Sequence, residues 1–100
     1  MQKVPRSITI GGKRIKIRVC PELESWGEYH HDLSEIRLST ACIENQETFV
    51  QTLRHEILEA SLCLGGVAWS ERYDQEVLVR CLESIFFPCW DKLSPKLLNP

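Results

Sequence analysis

The hydrophobic positions of this chain change period once, from two to about 3.6, near residue 45. Before that point, Ser7-Ile8-Thr9-Ile10 and Lys13-Arg14-Ile15-Lys16-Ile17-Arg18-Val19 alternate about Gly11-Gly12, the pattern of a hairpin closed by a tight turn. Ile8, Ile10, Ile15, Ile17 and Val19 share one side; Arg14, Lys16 and Arg18 share the other. Cys20-Pro21 ends this unit. Trp26-Gly27-Glu28-Tyr29 and Glu35-Ile36-Arg37-Leu38-Ser39 flank a polar turn, so residues 26–39 read as a second hairpin.

Ala41 to Glu47 is a connector with room for a helical turn, and a helix is predicted from Thr48 to Leu64. Thr48 with Gln51 resembles a capping box, and Gly65-Gly66 is the stop. Phe49, Leu53, Ile57, Ala60 and Leu64 form its buried stripe. A second helix is predicted from an N-cap at Ser70, with Glu71 in its first turn, to a stop at Pro88. Val77, Leu78, Cys81, Leu82 and Ile85 would pack it on the first helix, antiparallel to it because the glycine connection is short. The predicted fold class is α+β: a small, mostly antiparallel sheet of two hairpins with two helices on one face, as a single domain over residues 1–90 and a tail over 91–100.

A length of 100 residues supports one core. No apolar run reaches the length of a membrane span and the N-terminus lacks a signal-peptide stretch, so a cytoplasmic protein without membrane partners is expected. The five cysteines, odd in number and without C-x-x-C spacing, read as reduced, buried small hydrophobes. Net charge is −2, but residues 1–19 carry six basic groups and no acid. That patch suits a nucleic acid or an acidic partner, yet it equally protects a sheet edge, and no aromatics interleave for base stacking. Nucleic-acid binding therefore ranks last.

The chemistry lies on the first helix. His55 and Glu59 are four apart and share a face, and Glu56 is beside them. In His-Glu-x-x-Glu the first and fifth residues can ligate one ion while the second reaches a bound water. Such a trio on a solvated helix face is unremarkable. Here Ile57, Leu58 and Ala60 surround it, so part of the face must approach the core, where a carboxylate needs a partner. A third ligand must come from elsewhere: Glu76 is the first candidate, Glu83 the second, Glu71 the third. His30, His31 and Asp32 have ligand chemistry, but neighbours on a turn point apart.

With its Gly-Glu-Tyr strand, Ile-Arg-Leu strand, Leu-x-His-Glu helix and Glu-bearing second helix, the chain resembles the minimal gluzincin-like metallopeptidases. These are small zincin domains related to the ImmA/IrrE and SprT-like groups, common in phages and mobile elements. The resemblance spans Ile8 to about Phe87, with Leu53 to Ala60 the specific motif. It implies zinc held by His55, Glu59 and Glu76, Glu56 as general base, and a protein or peptide substrate. The family's usual second histidine is replaced by Glu59. Two carboxylate ligands would cancel the ion's charge, weaken it as a Lewis acid and favour manganese or iron(II), so metal binding is expected ahead of proteolysis. The rival expectation is a zincin scaffold that works by binding a host protein, with Trp26, Trp69 and Trp90 available for contact.

Overall fold

A computed structural model describes residues 3–66, 68, 74–88 and 91, without the Phe86 side chain. The first hairpin is β1 (Ser7–Ile10) and β2 (Lys13–Cys20), paired antiparallel from Ile10↔Lys13 to Ser7↔Lys16. Gly11 and Gly12 turn the chain with φ of 56° and 81°, left-handed values that a two-residue hairpin turn requires. The second is β3 (Gly27–His30) and β4 (Glu35–Ser39), antiparallel with Gly27 opposite Leu38 and Tyr29 opposite Ile36.

The hairpins join through β4, giving the order β1-β2-β4-β3 with β2 and β4 parallel. The sheet is thus mixed, where a mostly antiparallel one was expected: both hairpins form, and the central pairing departs. Burial explains the order. Ile36 and Leu38 of β4 are fully buried and need strands on both sides, whereas the four-residue, half-buried β3 tolerates an edge.

Ser39 Oγ accepts from Cys42 N (3.0 Å) and starts the short helix α1 (Thr40–Ile43) directly from β4. Helix α2 spans Gln46–Leu64. Its cap is Asn45, whose Oδ1 accepts from Thr48 N at 3.0 Å, so Thr48 lies inside the helix rather than at its start. Gly66, at φ 81°, closes the other end. Phe49 and Ala60 enter the core with Ile10, Ile15, Ile17, Ile36, Leu38 and Cys42, and Leu53, Ile57 and Leu64 pack against it.

Asp74 caps α3 (Gln75–Cys81), its Oδ1 accepting from Val77 N at 3.1 Å. The helix widens to a π-turn over Leu82–Phe86, and helical backbone continues through Phe87 to Pro88, the position of the predicted stop. Ser70, Glu71, Trp69, Cys89, Trp90 and residues 92–100 lie outside the described residues. Contacts fix the direction of α3: Glu59 neighbours Glu76, His55 neighbours Glu83, and Arg54 meets Asp91 at 2.6 Å, so α3 runs antiparallel to α2. Its inward face is not the predicted one. Val79 is buried with Leu78 and Leu82 beside it, while Val77, Cys81 and Ile85 are exposed. Turning the helix this way brings Glu76 and Glu83 to the polar face of α2. The cysteines divide likewise: Cys20 and Cys42 are buried, Cys63 is half-buried, and Cys81 is an exposed free thiol. Among the described residues, no helix is long and apolar enough to cross a membrane.

Candidate metal centre

His55 and Glu59 project from one face of α2, and Glu76 meets them from the first turn of α3. One ligand atom from each lies within 4.8 Å of the others, and among the described residues this is the one group of three with metal-ligand chemistry. Donors around a small tetrahedral ion sit roughly 3.4 Å apart. The exposed Glu76 side chain has the freedom to close that difference, so the donor set fits a divalent cation.

The imidazole is held from both sides. Nε2 lies 3.4 Å from Glu59 Oε1, and Nδ1 lies 2.9 Å from Glu83 Oε1. Glu83 thus contacts His55 but stands outside the group of three, which separates it from Glu76, its competitor for the third position. The remaining candidate, Glu71, is outside the described residues.

Glu56 points inward and is 4 % exposed. Its Oε1 has no hydrogen-bond partner among the described residues, although buried carboxylates ordinarily have one. Burial above all, then the negative charge and hydrogen bond of Glu59, then Glu28 and Glu76, push its carboxyl up to about 8.

A cleft of about 360 Å³ opens beside His55 and Glu56, lined by Gln51, Thr52, His55 and Glu56 of α2, by Glu83, and by Ser25, Trp26 and Gly27 at the start of β3; Glu59 and Glu76 are not in its lining. The hydrogen bond from Ser39 N to Trp26 O (2.9 Å) fixes the phase of the strand pairing. By the antiparallel alternation, Gly27 and Tyr29 then direct their backbone groups to the open edge beside the cleft. The part of β3 in the wall was not foreseen from sequence; the signal was Gly27, a glycine inside a strand, which marks a close backbone approach.

His30 and His31 stand apart from this centre: His30 Nε2 is 3.0 Å from Glu28 Oε1, and His31 Nδ1 is 2.8 Å from Tyr29 Oη. Asp32 is exposed. On the far face of the sheet two members of the predicted basic row are engaged locally, Arg14 with Ser7 at 3.2 Å and Arg18 with Glu35 at 3.5 Å. Compared with protein-family models, curated proteins and solved structures, the chain matches none.

Proposed function

We propose that this chain is a zincin-like, metal-dependent peptidase domain of the gluzincin-like kind, in which His55, Glu59 and Glu76 hold zinc, or manganese or iron(II), and Glu56 is the proton carrier. The observation that carries the reading is the buried Glu56 Oε1, without a hydrogen-bond partner among the described residues, beside a His/Glu/Glu donor set of which His55 lines the same cleft. Such an ion, when bound, supplies Lewis acidity toward a carbonyl oxygen and acidifies water.

The chain's own residues do the rest. Glu56 accepts a proton at its carboxylate from the attacking water and returns it to the leaving amine. The Gly27 and Tyr29 edge of β3 offers backbone groups to an extended peptide, which would then lie along the cleft. Glu56 reaches the wall of the cleft while only 4 % exposed, which limits its contact with bulk water.

A second reading is favoured by the donor set itself. Two carboxylates leave an ion little net charge, and Trp26, 57 % exposed at the cleft, suits a docking contact. On that reading the domain, of phage or mobile-element type, binds a host protein and turns over slowly or not at all.

The test is hydrolysis of an unstructured protein and a peptide library by the metal-loaded chain and by Glu56→Gln. Cleavage lost in Glu56→Gln, with metal retained, supports the peptidase. Metal bound without cleavage in either form selects the binding module.

A further inference from the structure

We infer that Glu83 is the positioning residue of this centre: by accepting the Nδ1–H of His55 it fixes the imidazole tautomer and aims Nε2 at Glu59 and Glu76. The inference rests on the metal-site reading above.

The two nitrogens of an imidazole point away from each other, so a carboxylate at one of them cannot share an ion bound at the other. Nδ1 meets Glu83 at 2.9 Å and Nε2 meets Glu59 at 3.4 Å, which assigns the two nitrogens different partners. A neutral imidazole carries one N–H, and a carboxylate acceptor draws it to the nitrogen it touches. With the proton on Nδ1, the Nε2 lone pair faces Glu59. Two electron-rich groups opposed in this way attract only through a positive centre between them, a second ring proton on Nε2 in the metal-free chain or a metal ion that takes its place.

The helices supply the geometry. Glu76 and Glu83 are seven residues apart on α3, about 10 Å along its axis, and on α2 Glu59 lies about 6 Å from His55. Because the helices are antiparallel, Glu76 arrives beside Glu59 while Glu83 arrives beyond His55. Glu83 is about one-quarter exposed, on the inward face with Val79 and Leu82, and belongs to the π-turn. The His55 hydrogen bond joins it to α2. Carboxylates that orient a ligating histidine in this way raise metal affinity without touching the ion.

The test uses the full chain as wild type, Glu83→Ala, Glu83→Gln and His55→Ala. Zinc affinity is measured by competition with a chromophoric chelator, and the His55 tautomer by ¹⁵N shifts of the metal-free protein. Glu83→Ala should weaken zinc binding about 10–100-fold and move the ring proton to Nε2. Glu83→Gln, of the same shape and still able to accept from Nδ1–H, should lose less. His55→Ala should not bind.

If Glu83→Ala unfolds, Glu83→Gln carries the test: in a folded protein it must keep the Nδ1–H tautomer and lose some affinity. Unchanged affinity in both variants overturns the inference alone. A loss in Glu83→Ala as complete as in His55→Ala makes Glu83 a ligand and overturns it too. Absence of zinc, manganese and iron(II) binding in the wild type overturns the metal reading and this role with it.

Discussion

Gly27 lies against Thr52 so closely that a β-carbon on it would sit 2.8 Å from Thr52 Cγ2, with Arg37 O and Glu56 Cγ each at 3.3 Å. The edge strand therefore rides directly on α2 at the level of Glu56, and this contact makes the strand a wall of the cleft.

A methyl group there must push β3 off the helix. Gly27→Ala should cost about 1–3 kcal/mol in urea unfolding, the usual penalty of overpacking. Thr52→Ala removes the obstructing Cγ2, so the double variant should be more stable than the sum of the two single effects predicts. Strict additivity would show that the close approach does not constrain the strand.

Much of this could be read from residue order. The alternation of Ile8 to Ile17 gave the first hairpin, although it breaks at Val19, which is exposed while Cys20 is buried, and the Phe49-to-Leu64 stripe gave the long helix, because local periodicity reports which face is buried. Pairing of distant strands is not local. That β4 would enter between β2 and β3 depended on Ile36 and Leu38 needing cover on both sides, a property of the assembled sheet. Helix α3 misled for a related reason. Its most apolar face holds Val77 and Ile85, yet Val79 is the residue buried, Glu83 meets His55, Glu76 reaches the same face of α2 while staying exposed, and Val77 and Ile85 are left in solvent. Residue type and spacing suggested His55, Glu59 and Glu76; only the packed helices separate the contact of Glu83 from that of Glu76.

On the outer face, Glu35 is buried between arginines, accepting from Arg37 Nε at 2.7 Å with Arg18 at 3.5 Å. The Arg37 hydrogen bond, foremost, and the charges of both arginines hold its carboxyl below the ordinary 4.5 against the opposing effect of burial. A lowered folded value means that the stabilisation is fully present above 4.5 and is lost as pH falls through the folded value. Glu35→Gln should therefore be less stable than wild type by about 1–2 kcal/mol at neutral pH, with the gap closing in acid. Urea midpoints of both proteins down to about pH 3 check this; a gap independent of pH would remove the ion pairs from the account.

Thiol accessibility gives an independent check on how α3 is turned. Cys81 is exposed, whereas burial raises the thiols of Cys42 and Cys63. Under native conditions iodoacetamide should modify Cys81 well before Cys20, Cys42 or Cys63, as read by peptide mass spectrometry. Protection of Cys81 would mean that the predicted apolar face, not the observed one, packs inward.

The central claim is that His55, Glu59 and Glu76 form a metal site, and elemental analysis addresses it most directly. Wild-type protein and His55→Ala, purified without added metal or an affinity tag, are compared for bound zinc, manganese and iron. About one equivalent of one of these in the wild type, absent from His55→Ala, is the predicted result. A wild-type protein that holds none of them, even after incubation with zinc and manganese, would contradict the account.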